Sequence, residues 1–297
     1  PLMKKEKSTA AKFGGIIQPI YTVDQAVKDG AVVPLLYEGR MVPQEVHADS
    51  IDRYFDRICE WMTDAQRADM KKKFSRADQV SQAEQRVYAI AWDISQHFRK
   101  NWQGSKFKAQ LVAPRKRIAI MYKKFLDEIG IVSSEVLITS PDTREGEDIA
   151  FGETSNTELA FWKQMMDEHG TPKKYEQNII NRFKNSDKPE IIIVVDKLLT
   201  GFDEPKNTVL YLDRKLKDHT LLQAIARVNR VCDDKEFGYI VDYYGVFSNL
   251  NDALEIYTEF DQEDLSGTYT DIADEVAKLP QRHSEVWDIL REVRNQG

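Results

Sequence analysis

Two segments carry residue types at spacings that could do chemistry. The first is Thr220 to Arg230, Thr-Leu-Leu-Gln-Ala-Ile-Ala-Arg-Val-Asn-Arg. On a helix, at about 100° per residue, Leu221, Ala224, Ile225 and Val228 share one stripe that must face a core. Gln223, Arg227 and Arg230 then fall together on the opposite side. Two arginines about one turn apart can grip a planar or tetrahedral anion through forked hydrogen bonds, which lysine cannot imitate. A solvated helix face is the plainer reading of the same pattern, and Thr220-x-x-Gln223 also matches a capping box. His219, at the start of the segment, reads as a terminal polar residue.

The second segment is Glu190-Ile-Ile-Ile-Val-Val-Asp196, a buried strand by composition, running into Lys-Leu-Leu-Thr-Gly-Phe-Asp at 197–203. In open α/β sheets, ligands sit outside the carboxyl ends of strands. Thr200, Gly201 and Asp203 are expected in such a loop. Gly201 permits either close approach of a phosphate or a special backbone angle. Asp203 could orient an arginine or receive a ribose hydroxyl. A Thr-Gly pair after a strand is also an ordinary turn. A third feature is Arg115-Lys116-Arg117, inside a stretch from Arg99 to Lys124 with nine Lys/Arg and no acid. These side chains either contact phosphates or are simply solvated.

These residues need a scaffold. After Gly104 the sequence alternates short runs rich in β-branched and aromatic residues with helical stretches. The runs are Phe107 to Ala113, Glu135 to Thr139, Glu190 to Val195, Thr208 to Leu212 and Phe237 to Val241. The helical stretches span about 115–129, 158–168, 172–184 and 219–231. Such alternation implies an α/β fold with a doubly wound, mostly parallel sheet buried on both faces. Residues 1–44 read as an irregular connector broken by Gly14-Gly15, Pro19, Gly30, Pro34 and Pro43. Residues 45–104 read as a helical segment, with Ile51, Tyr54, Phe55, Ile58 and Met62, then Val87, Ile90, Ala91, Ile94 and Phe98, at helical spacing. Residues 105–247 form the α/β lobe, with a polar loop at 141–156. Residues 248–297 open a further helical region. The tryptophans at 61, 92, 102 and 162 read as core anchors.

The chain has 297 residues, 41% of them hydrophobic and 31% charged, with a mean hydropathy of −0.53. No run approaches the ~18 apolar residues of a membrane span. Two cysteines, Cys59 and Cys232, exclude a disulfide scaffold and a cysteine-rich zinc site. A reducing, cytoplasmic setting is expected. The net charge of −7 hides an asymmetry: Asn249 to Gly297 holds twelve Asp/Glu against four Lys/Arg.

In order and spacing, Thr200-Gly-Phe-Asp-Glu-Pro, Leu210-Tyr-Leu-Asp-Arg-Lys-Leu-Lys-Asp-His and Gln223-Ala-Ile-Ala-Arg-Val-Asn-Arg230 resemble motifs V and VI of superfamily 2 helicases. The version here is similar to that of the type I restriction enzyme R (HsdR, motor) subunit. Lys108-Ala-Gln-Leu-Val-Ala-Pro-Arg-Lys-Arg-Ile-Ala119 resembles motif IV. Pro1-Leu and Lys12-Phe-Gly14 resemble the stretch just after motif III, and Tyr21 to Arg40 the connector beyond it.

The resemblance implies a RecA-like second lobe, related to the P-loop NTPases. It would supply arginine fingers, Arg227 and Arg230, to ATP and Mg2+ bound mainly by a first lobe. Gly201, Asp203, Gln223, Arg227 and Arg230 would face ATP. Arg115, Lys116, Arg117 and Thr200 would hold double-stranded DNA. The implied partners are methyltransferase (M) and specificity (S) subunits, with no membrane. The sequence contains no Gly-Lys-Ser/Thr, and Asp167-Glu-His-Gly170 ends a helical pattern rather than a strand. The expectation is therefore a second lobe starting after motif III, inactive alone, without the upstream nuclease domain. Asp196 and Glu204-Pro-Lys206 match a nuclease pattern by eye, but they overlap motif V and so short a pattern arises by chance. Two rivals stay open: another superfamily 2 DNA motor, and a non-enzymatic module that grips an anion.

Overall fold

A computed structural model describes residues 23–40, 63, 82–141, 152–216, 218–245, 270–271, 276 and 278–279. Helix α1 (Val23–Lys28) leads to strand β1 (Leu35–Gly39). Helix α2 (Gln82–Asn101) precedes β2 (Lys108–Val112), α3 (Lys116–Ile129) and β3 (Ser134–Leu137). Helices α4 (Gly152–His169) and α5 (Pro172–Asn185) come next, then β4 (Ile191–Val194) and β5 (Asn207–Leu212). Helix α6 (Asp218–Ile225), β6 (Gly238–Asp242) and the two-residue β7 (Thr270–Asp271) complete the order.

The seven strands form one sheet in the order β3-β4-β2-β5-β6-β1-β7, every pairing parallel. The doubly wound parallel expectation holds, and the physical reason is visible in the alternation. Ile191 and Ile193 point to one face, where α2 and α3 bring Ile90, Ile94, Phe98, Tyr122 and Leu126. Ile192 and Val194 point to the other, against Tyr175, Ile179 and Phe183 of α5 and Leu221 and Ala224 of α6. Strands β2, β4 and β5 are buried along their whole length, as interior parallel strands must be.

The five expected strands lie within two residues of their observed bounds. Two readings change. The irregular character expected of residues 1–44 fails at Leu35–Gly39, which pairs with β6 from Leu35↔Gly238 to Gly39↔Asp242. A five-residue strand bounded by Pro34 and Gly39 has too little pattern of its own, and its partner lies about 200 residues away. The polar loop expected at 141–156 gives way to α4 at Gly152. The helical patterns over 45–81 and after Phe247 lie outside the described residues, apart from Thr63 and positions 270–271, 276 and 278–279. So do residues 1–22 and 142–151.

Helix α2 is buried almost all round from Arg86 to Phe98, so its polar residues must find partners inside. Arg86 donates to both carboxylate oxygens of Asp213, at 2.5 and 3.1 Å, and Tyr122 Oη donates to the same carboxylate at 2.7 Å. Asp93 accepts two bonds from Arg40, at 2.7 and 2.9 Å, and one from Tyr243 Oη at 2.6 Å. These buried pairs bolt α2 to the carboxyl ends of β1, β5 and β6. Trp92 and Trp102 are buried and Trp162 is half-buried, packed edge-on to Tyr175.

Candidate anion-binding site

The segment after β4 does not form a crossover helix. Residues 195–206 run as a strap to β5, laid over the α5/α6 face of the sheet by Leu198, Leu199 and Phe202, all buried. Arg214 fixes its start, donating to the Val195 carbonyl at 2.8 Å and to Asp196 Oδ1 at 2.6 Å. Lys197 pairs with Glu176 of α5 at 2.6 Å. Leu198 adopts φ 64, a left-handed angle that costs a branched residue roughly 1–2 kcal/mol and is held here by burial of its side chain. Gly201 has φ 69, with no atom within 4 Å of where a Cβ would stand. The backbone angle, not close approach, is what calls for glycine there.

Thr200 and Gly201 are exposed. Asp203 is displaced from the place expected for it. The strap has by then returned towards the amino-terminal edge of the sheet, where Asn207 opens β5 opposite Lys108, the first residue of β2. A ligand-edge position at the carboxyl ends of the strands is thus not where Asp203 stands. The cause is the missing crossover helix: a strap of this length reaches from one edge to the other directly.

The arginine segment also departs from the helical wheel. Helix α6 ends at Ile225, and the chain tightens into i→i+3 turns, with Arg227 N–H donating to the Ala224 carbonyl and Val228 N–H to the Ile225 carbonyl, each at 3.0 Å. Two neighbours pull this backbone in. The Asn229 carbonyl accepts from Val33 N–H at 2.8 Å, and a Cβ on Gly238 would lie 2.3 Å from the Val228 carbonyl oxygen. The apolar stripe is buried as expected: Leu221, Ala224, Ile225 and Val228 are all core. Arg227 and Arg230 leave from a turn rather than from a helix face.

Both arginines nevertheless converge on the strap. Arg227 donates from Nε to the Gln223 carbonyl at 3.0 Å and from Nη1 to the Phe202 carbonyl at 2.5 Å. Arg230 Nη1 donates to Asp203 Oδ1 at 2.5 Å. Burial, and then the nearby Arg230 charge, lower the Arg227 pKa, while Asp203 opposes the shift. Two guanidinium charges near one exposed carboxylate leave the cluster with an excess of positive charge, which favours a further anion. Gln223 is half-buried on α6 and contributes its backbone carbonyl to the cluster.

The basic triplet lies elsewhere, just past the carboxyl end of β2. Arg115 is exposed and caps α3 in an extended conformation without a side-chain cap bond. Lys116 Nζ donates to the Ser140 carbonyl at 2.6 Å. Arg117 N–H donates to Glu158 Oε1 of α4 at 3.0 Å. That acid, 41 residues away in sequence, offsets part of the basic field. The structure therefore brings Asp203, Gln223, Arg227 and Arg230 together and keeps Arg115 to Arg117 apart from them, at the opposite edge of the sheet.

Asp196 is engaged by Arg214, Glu204 is buried and accepts the Lys206 N–H at 3.1 Å, and Lys206 Nζ donates to the Lys184 carbonyl at 2.9 Å. The nuclease-like pattern is used up in holding the strap. Among the described residues, no group of three or more His, Cys, Asp or Glu is placed to hold a metal ion. No helix among them is long and apolar enough to cross a membrane.

Comparison with known proteins adds to this geometry. Residues 105–245 match the family model described as type I restriction enzyme subunit R domain 3, and residues 1–68 match that of the SWI2/SNF2 ATPase. Over 297 residues the chain is 30% identical to the type I restriction enzyme MjaIXP endonuclease subunit of Methanocaldococcus jannaschii, covering 99% of this chain and 26% of that protein. It is 30% identical over 266 residues to the type I restriction enzyme HindI endonuclease subunit of Haemophilus influenzae, covering 87% of this chain and 23% of that one. The chain thus spans about a quarter of the length of these relatives. A solved fragment of an HsdR subunit from Vibrio vulnificus YJ016 aligns over 84% of this chain and 39% of that one, at 15% identity and a TM-score of 0.49.

Proposed function

The chain belongs to the type I restriction enzyme R-subunit family through residues 105–245, and on that premise we propose that it is the second RecA-like motor lobe of an ATP-dependent DNA translocase. The observation that carries the reading is the convergence of Arg227 and Arg230 on Phe202 and Asp203. In this reading ATP lies between this lobe and a first lobe. The two guanidinium groups meet the charge that develops on the transferred phosphoryl group, by position and electrostatics alone. Magnesium would neutralise the phosphate oxygens from the first lobe's side. Gly201 and Asp203 would border the nucleotide, with Gln223 on the neighbouring helix.

Arg115, Lys116, Arg117 and Thr200 would hold the duplex backbone without reading sequence. The separation of the basic triplet from the arginine pair supports this reading, since one edge of the lobe would serve DNA and the other the nucleotide. Methyltransferase and specificity subunits would choose the site, in the cytoplasm, and the complete subunit would also cut DNA. Phosphate release with duplex DNA present tests the assignment. The 297-residue chain alone should release none, and the complete R subunit should turn over. DNA-stimulated turnover by the chain alone would remove the division between two lobes.

A further inference from the structure

Lys184 lies outside every segment that pointed to function. It occupies the last turn of α5, where a basic residue ordinarily offsets the negative end of the helix dipole. Here the side chain does something more specific. Its ammonium donates to the Asp203 carbonyl and stands 5.2 Å from the centre of the Phe202 ring. Its own carbonyl accepts from Lys206 Nζ at 2.9 Å. Lys184 therefore grips the strap at two points, one through its side chain and one through its backbone.

Those points bracket the seat of the arginines. The Phe202 carbonyl receives Arg227, and the Asp203 carboxylate receives Arg230. Residues 202 and 203 belong to no helix or strand, so their backbone groups have no ladder to hold them. Lys235 clips the strap further on, donating to the Pro205 and Asn207 carbonyls, each at 2.9 Å. Lys184 acts at the very residues the arginines touch. From this we infer that Lys184 is a positioning residue for Arg227 and Arg230: it fixes Phe202 and Asp203 so that both guanidinium groups are aimed before the nucleotide arrives. The inference rests on the motor reading above. It deepens that reading by adding a group that touches neither nucleotide nor DNA.

The test uses the complete R subunit with three variants: Lys184→Met, which keeps the stem against Phe202 but removes the donor; Lys184→Arg, which restores a donor and a cation over the ring; and Arg230→Ala as control. DNA-stimulated kcat and KM for ATP are measured with melting temperature. Lys184→Met should lower kcat by roughly ten- to a hundred-fold, the scale of a small misplacement of a charged group, with KM and melting temperature little changed. Lys184→Arg should recover most of the loss. Wild-type kcat in Lys184→Met, beside a collapse in Arg230→Ala, overturns this inference and leaves the motor reading standing. Equal losses in Lys184→Met and Lys184→Arg, tracking a lower melting temperature, overturn it as general destabilisation. Undiminished turnover in Arg230→Ala overturns the inference and the motor reading together.

Discussion

Arg230 donates to the Asp203 carboxylate at 2.5 Å, joining the turn after α6 to the strap after β4. The Arg230 side chain is 35% exposed and that of Asp203 64%. An ion pair this open contributes about 0–1 kcal/mol. It aims the guanidinium without committing it, and a phosphate carrying more than one charge can compete for it. The fold therefore does not depend on this pair, and a change at Arg230 reads on chemistry rather than on folding.

The turn itself depends on Gly238. A Cβ there would stand 2.3 Å from the Val228 carbonyl oxygen and 2.9 Å from Leu35 Cδ2. Gly238→Ala should destabilise the protein by about 1–3 kcal/mol, as other insertions into packed sites do. Urea unfolding measures it. An unchanged midpoint would mean that the 226–230 backbone is not pressed against β6 as described.

His97 sets an acid limit. It is buried on α2 beside Tyr211, with Nδ1 2.9 Å from the hydroxyl. Burial first, then the Arg40 and Lys100 charges, lower its pKa to about 3. An unfolded histidine titrates at about 6.5. Between these values the unfolded chain takes up a proton that the folded one refuses, so this contribution is intact above about pH 6.5 and is lost as pH falls towards about 3. His97→Phe keeps a ring among Trp102, Tyr211 and Tyr239. It should flatten the fall in stability with acid, even though leaving the Tyr211 hydroxyl unpaired costs about 1–3 kcal/mol at every pH. Equal pH slopes for variant and wild type would show that His97 takes its proton without unfolding.

The basic edge makes a salt prediction. Replacing Arg115, Lys116 and Arg117 by alanine in the complete R subunit should flatten log affinity for duplex DNA against log salt by roughly 2–3, with similar loss for any sequence. Identical slopes would mean that these side chains only solvate the edge.

Strands β2 to β6 are legible in the sequence because short runs such as Ile191-Ile-Ile-Val194 carry burial on both faces in their composition. The apolar stripe of α6 is legible for the same reason. The end of α6 is not, because the wheel extends any helix until a Gly or Pro stops it. The contacts met where this one ends come from other elements: Val33 N–H donates to the Asn229 carbonyl, and Gly238 admits the Val228 carbonyl. The strap reads as a loop at the carboxyl edge, since nothing local in Lys197 to Asp203 says which way a loop turns. Arg86 with Asp213, 127 residues apart, and Lys184 with a backbone carbonyl leave no periodic trace. The candidate residues are therefore readable as types, and their convergence is not.

If Arg230 serves a nucleotide shared with another lobe, steady-state ATP hydrolysis by the complete R subunit on duplex DNA must depend on it. Arg230→Ala should cut turnover on the order of 10³-fold or more, the scale of a lost arginine finger. Its melting temperature should stay close to wild type, and Arg230→Lys should rescue poorly because an ammonium lacks the fork. Near-normal DNA-stimulated turnover in a folded Arg230→Ala protein would contradict that role and leave the cluster around Asp203 as a structural clasp.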